Sequence, residues 1–307
     1  MSTGVYQKTA GELINSALRA ASISGIQLAV DASDFATGQE KLNDILAWLQ
    51  TKQIHLWSNT EAFLPLNPNQ RTYTLPSAHC FTDYVATTTS AAYIASDTAF
   101  TVATTTGMTV GDFIGIELAS GSRWWDTIAT IPTSTTLTTT GGATSAINSG
   151  AIVYTYTTAI DQPVRILDAR FQNQHDESET TISQLSRQEY YEQPEKSSIG
   201  SANSWYYDRQ LSAGKLSLWP VAQDCNEVVR FTFIKPQYIP EDQSENILIP
   251  PEWYMPLMYK LASELGVVYS IDPNKQVILE QKAANFIEDA LGTDNEFSSF
   301  SFYPSGD

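Results

Sequence analysis

Two cysteines and three histidines are all that 307 residues offer for thiol or imidazole chemistry. Cys80 and Cys225 could pair, but nothing in their spacing forces it, and a chain made and used without oxidation is the simpler expectation. His55, His79 and His175 show no HExxH or His-xxx-His spacing and no neighbouring CxxC. His79 and Cys80 are adjacent, and adjacent residues on a strand point to opposite faces, so no metal site is expected. No run reaches the roughly 18 apolar residues of a membrane-spanning helix. The opening MSTGVYQKTAGELINSALRAA moves straight into an amphipathic helix and lacks the charged-then-apolar order of a signal peptide.

Positive charge is scarce too. Seventeen Lys and Arg stand against 34 Asp and Glu, a net charge of −17, which argues against a protein that grips nucleic acid through its phosphates. It is compatible with a surface that DNA passes without sticking. No G-x-S-x-G elbow, P-loop or G-x-G-x-x-G occurs. Acidic pairs such as Asp176-Glu177 and Glu241-Asp242 read as solvated surface, because carboxylate catalysis needs two acids across one cleft at a set gap. No residue is assigned to catalysis, to a cofactor or to a metal, and the expectation is a protein without enzymatic activity. A polysaccharide hydrolase is the competing enzyme class.

What is present is a globular composition, 42% hydrophobic and 17% charged, over a length sufficient for one large or two ordinary domains. Thr9-Ala10-Gly11-Glu12 has the form of a capping box, and Leu13, Ile14, Ala17, Leu18 and Ala21 follow on one helical face. A second helix is expected from Asp31 or Ser33 to about Gln53, with a stripe of Phe35, Leu42, Ile45, Leu46 and Leu49. Two helices make a thin core, and matching stripes recur only near the other end of the chain. Pro250-Pro251 precede a stripe of Trp253, Leu257, Met258, Leu261, Ala262 and Leu265. Asp272-Pro273 is an N-cap with proline at the first helical position, followed by Val277, Ile278, Ala284, Phe286, Ile287 and Leu291, with Gly292 as the stop.

Between these helices the sequence turns to strands. RTYTL, VRILDARF, SWYYDRQ, GKLSLWP and EVVRFTFI are strand candidates, several alternating in period two, while residues 188–195 fit a helical turn or a loop. A Thr-rich stretch places AFTVA, DFIGIEL, RWWDTIATI, TLTTT and AIVYTYT between turn signals, which predicts a small sandwich or barrel. The fold class expected is therefore α+β. A discontinuous four-helix unit is built from the N- and C-terminal helices, and a large antiparallel β insertion carries the Thr-rich module. The expected boundaries are 1–63 and 247–292 for the two halves of the helical unit, 64–90 and 159–246 for the β domain, 91–158 for the module and 293–307 for an extended tail. Two separate helical subdomains are the other reading. The expected helical core is Leu13, Leu18, Leu42, Leu46, Leu49, Trp253, Leu257, Leu261, Leu265, Phe286 and Ile287.

Two aromatic sets could carry contacts. Trp124, Trp125, Tyr154 and Tyr156 in the module are candidates for stacking on a carbohydrate or fibre, against the plainer reading of half core and half surface, which also fits Tyr190-Tyr191 and Trp205-Tyr206-Tyr207. Phe297, Phe300, Phe302 and Tyr303 sit in a Ser-rich terminal segment, and four aromatics there are costly to leave in water. They either fold back or dock on a partner by strand addition or into pockets, and docking is the expectation.

The order of these features resembles the head-to-tail adaptor proteins of short-tailed bacteriophages, also called packaged-DNA stabilisation, head-completion or tail tubular proteins. The resemblance rests on TAGELINSALRAASI, ATGQEKLNDILAWLQTKQIHLW, LPLNPNQRTYTLP, GKLSLWP with EVVRFTFIKP, the I-P-P-E-W helix, LASELGVVYSIDPN and a last helix reaching DNEF. It covers most of the chain but not residues 91–158. It implies a twelve-subunit ring beneath the portal protein of a DNA-filled capsid, at the head–tail junction of a virion assembled in the host cytoplasm. Helices at 251–268 and 273–291 with Phe297, Phe300, Phe302 and Tyr303 would face the portal. The β region at 64–245 would face the tail nozzle and the fibre or spike proteins, and DNA would pass the lumen without specific binding. No cofactor is implied. The competing reading is a tail-associated β-rich module that binds a carbohydrate or fibre.

Overall fold

The computed structural model describes residues 7–23, 31–51, 58–76, 79–174 and 178–293. The chain is a mixed α+β protein that divides into two compact units, one drawn from Met1–Ser58 and Pro236–Asp307, the other Asn59–Lys235.

Helix α1, Ala10–Ala20, begins with a complete capping box. The Thr9 hydroxyl accepts from the Glu12 amide at 3.2 Å, and the Glu12 carboxylate accepts from the Thr9 amide at 3.1 Å, so two amides that the helix cannot pair internally are satisfied. Helix α2, Ala32–Gln50, is capped by Asp31. The two helices pass closely at Gly38, where a Cβ would lie only 2.5 Å from the Ile14 side chain.

The second unit opens with β1, Asn59–Pro65, and β2, Thr72–Leu75, which go to different sheets. After them come six strands of the inserted module: β3, Val85–Thr88; β4, Ala99–Thr101; β5, Phe113–Glu117; β6, Arg123–Thr133; β7, Thr136–Thr139; and β8, Ile152–Tyr156. They form one sheet in the order β3-β8-β5-β6-β7-β4. The sheet curls until its outer strands meet. Thr89 bridges Val102, the Ser90 amide donates to the Thr101 carbonyl at 2.8 Å, and the Ala103 amide donates to the Thr88 carbonyl at 2.9 Å. The module is thus a small barrel rather than a sandwich, and it starts at Val85, ahead of the expected boundary at 91, because β3 pairs with β8. Its interior holds Phe100, Val102, Ile114, Ile116, Ile128, Leu137 and Val153. The threonines pave part of its outside, where hydroxyls of Thr127 and Thr140, Thr130 and Thr138, and Thr133 and Thr136 pair at 2.7–2.8 Å. β-Branched residues suit a pleated surface, and these pairs let one face stay polar while the strands stay extended.

The remaining strands are β9, Arg165–Asn173; β10, Glu179–Thr181; β11, Ser183–Gln184; β12, Ser204–Asp208; β13, Gly214–Trp219; and β14, Glu227–Ile234. One sheet runs β1-β14-β9-β10 and the other β11-β12-β13-β2, with β11 and β12 a parallel pair among otherwise antiparallel neighbours. A short helix α3, Arg187–Glu192, occupies the stretch that could have been a turn or a loop, and Ser186 with Glu189 gives it its own capping box. The alternation read from the sequence decides which side chains go inside: Val229, Phe231 and Phe233 of β14 join Tyr73, Leu75, Trp205, Leu216 and Leu218 of the second sheet in one core.

After the second unit, a single 3₁₀ turn, Pro251–Trp253, leads into α4, Tyr254–Val268, and α5, Pro273–Thr293, closes the described chain. The Asp272 carboxylate accepts from the amides of Asn274 and Lys275 at 2.9 and 3.3 Å and so starts α5. One apolar core takes Leu13 and Leu18 from α1, Leu42, Leu46 and Leu49 from α2, Leu257, Leu261 and Leu265 from α4, and Trp253 from the turn before it. The stripe expected on α5 needs correction. Leu279, Ala283 and Ala290 are its buried residues; Phe286 and Ile287 are only half-buried, and Val277 and Ile278 lie outside. Small alanines let α5 approach α4 closely, which turns the larger residues away from the shared core. Phe286 instead stacks on Tyr259 with ring centroids 5.3 Å apart. The helix also continues through Gly292 to Thr293.

Candidate functional site

The densest gathering of aromatic side chains lies where the barrel meets the first sheet. It starts from a glycine. Gly115 on β5 is opposite Trp125 on β6, and a Cβ at Gly115 would come within 2.6 Å of the indole ring. The missing side chain lets the indole lie across the strand. His79 stacks on its other side, centroids 4.0 Å apart and planes 10° from parallel. The His79 Nδ1 shares a 2.7 Å hydrogen bond with the Tyr156 hydroxyl, and Tyr156 in turn stacks on Phe81 and Phe113. Phe81 and Phe63 exchange both backbone hydrogen bonds, at 2.8 and 3.1 Å, which ties the segment before the barrel to β1. Phe63, Phe81, Tyr154, Tyr156 and Val228 form the buried centre of this seam, with Tyr84 and Trp125 packed on it.

Polar groups close the seam. Arg123 is buried, donates through Nη2 to the Cys225 carbonyl at 2.9 Å, and sets its guanidinium carbon 4.5 Å from the centre of the Tyr154 ring. The Tyr154 hydroxyl donates to the Gln174 side chain. Arg230 donates to the Tyr84 hydroxyl at 3.3 Å and lies over the Phe63 ring.

These surroundings set the protonation states. Burial pulls His79 down to about 4, so its imidazole is neutral at neutral pH. Burial pushes Tyr154 and Tyr156 up to about 12 and raises both thiols, with Arg123 partly opposing the rise at Cys225. A protonated, buried thiol is a poor nucleophile and a poor metal ligand, so Cys80 and Cys225 act here as packing residues. Among the described residues no group of three or more His, Cys, Asp or Glu could hold a metal ion. The seam's chemistry is that of a rigid joint.

Three of the four module aromatics that were candidates for stacking on a carbohydrate or fibre belong to this joint. Tyr154 and Tyr156 are 1% and 4% exposed, and Trp125 is sandwiched between His79 and Gly115, so none of the three offers a free ring face to a ligand. Trp124 points the other way, packs on the barrel interior and approaches Phe100 at 5.9 Å. Phe297, Phe300, Phe302 and Tyr303, like His55 and His175, lie outside the described residues. Sequence reasoning missed Phe63, Phe81 and His79 as members of the seam. The signal available was weak, since His79 falls between strands and has no period to follow.

Comparison with protein-family models finds no match to the chain, and comparison with curated proteins finds none either. What the structure establishes is the class: an α+β protein with, among the described residues, five α-helices, mostly antiparallel sheets and a barrel module. Among the described residues, no helix is long and apolar enough to cross a membrane.

Proposed function

We propose that this chain is a structural connector: a non-catalytic virion protein of a short-tailed bacteriophage that forms a ring between portal and tail and helps to retain and guide packaged DNA. The observation that carries the reading is the shared core of α1, α2, α4 and α5. It supports a discontinuous four-helix unit in which α1 and α2 form one body with α4 and α5 while a β unit is carried between them, the layout read from the pairing of apolar stripes. The charge of −17 suits a lumen through which phosphate backbones must slide. The terminal aromatics Phe297, Phe300, Phe302 and Tyr303 are the proposed portal anchors, and the β unit is the proposed tail-facing part.

Depleting the protein during infection tests this reading. The expected particles are heads that receive DNA, fail to keep it and carry no tail. Tailed, infectious particles assembled without the protein would overturn the proposal.

A further inference from the structure

The second sheet of the β unit does not leave its polar face open. Across β2, β13 and β12 that face carries two cross-strand rows, Thr72–Ser217–Tyr206 and Thr74–Lys215–Asp208, while the alternate residues Tyr73, Leu216 and Trp205 point into the core. Helix α3 and the loop after it stand beside these rows. Tyr190 stacks on Tyr206 with centroids 5.4 Å apart, and the ammonium of Lys196 is held by the carbonyls of Tyr191 and Gln193 at 2.8 and 3.2 Å. With Arg71 just before β2, these residues line an open-sided cavity of about 430 Å³.

Two features mark it as a ligand site. Arg71, Lys196 and Lys215 gather here in a chain that has 17 basic residues against 34 acidic ones. Tyr191, 57% exposed, offers its ring at the rim.

We propose that this cavity binds an acidic sugar residue, a carboxylated pyranose within a glycan. The sugar carboxylate meets Arg71 and Lys215. Its hydroxyls donate to Asp208 and exchange hydrogen bonds with the Thr72 and Ser217 hydroxyls. Its C–H face lies against Tyr191. Asp208 on the wall calls for donors as well as negative charge in the ligand, and a carboxylated sugar brings hydroxyl donors on the same ring as its carboxylate. The volume falls within the usual range for small-ligand sites, about 300–1,000 Å³. The site shares no residue with the aromatic seam or with the terminal aromatics, so it stands or falls apart from the connector reading.

Titration of the full-length protein with trigalacturonate, a sialic acid trimer, maltotriose and triglutamate, followed by calorimetry, tests the proposal. At least one acidic sugar should bind saturably, more weakly as salt rises, and at least about tenfold more tightly than maltotriose or triglutamate. Tyr191→Ala and the double variant Arg71→Ala/Lys215→Ala alter exposed residues and should each weaken that binding by about tenfold or more, with thermal unfolding unchanged. Three results would overturn the proposal: no saturable binding of either acidic sugar, equal or tighter binding of triglutamate, or binding that both variants leave intact.

Discussion

The His79 imidazole lies face to face with the Trp125 indole, 4.0 Å between centroids and 10° between planes. One residue comes from the segment before the barrel and the other from the barrel's longest strand, so the pair fastens the module to the chain that leads into it. The stack also makes the joint pH-sensitive in a defined direction. Burial pulls His79 down from 6.5 to about 4, so between these values the unfolded chain binds the proton and the folded one does not. The stabilisation is complete above 6.5 and is lost as pH falls towards 4. Chemical unfolding at pH 7 and pH 5 should show the wild-type β unit losing more stability than His79→Gln. Parallel losses in both would show that His79 is not the responsible group.

Gly115 is the second test of the same joint. A methyl group there would strike the indole, so Gly115→Ala should push Trp125 off His79 and destabilise the β unit by about 1–3 kcal/mol. The near-ultraviolet circular dichroism of the indole should change with it. An unchanged spectrum and melting temperature would mean that the ring does not lie across the glycine.

The helical core makes a contrast between two apolar residues. Leu261→Ala, at a fully buried position, should lower stability by about 2–5 kcal/mol. Ile278→Ser, on the outer side of α5, should change it by no more than about 0.5 kcal/mol. Thermal melts of the two variants decide the matter, and a large loss from Ile278→Ser would return the α5 stripe to the face first expected.

Much of this fold was legible because local patterns decide it. The stripes of α1, α2 and α4 and the alternation of β14 each name an inward face without reference to the rest of the chain. The α5 stripe misled because Ala283 and Ala290 carry little hydrophobic signal, yet they bury well where two helices pack closely, while Val277 and Ile278 carry a strong signal and face outward. Barrel closure was not legible because Thr89 and Val102 meet only when strands distant in sequence have paired. The seam was hidden for a related reason. An aromatic on a strand such as Tyr154 gives the same local pattern whether its ring meets solvent or a neighbouring sheet. The α3 cavity escaped notice because Arg71, Tyr191 and Lys215 are ordinary surface residues until topology gathers them.

Removal of residues 294–307 addresses the proposed anchors Phe297, Phe300, Phe302 and Tyr303. The truncated protein should keep the melting behaviour of the full chain and fail to join the portal protein in a pull-down. Undiminished capture would take those four aromatics out of the interface.

The connector reading itself is tested most directly by the mass of the purified protein in solution, measured by light scattering alone and after mixing with the portal protein of the same phage. The account predicts a discrete complex whose added mass corresponds to a closed ring of this chain, twelve copies by the family resemblance. A protein that keeps its own mass in the presence of assembled portal would contradict it.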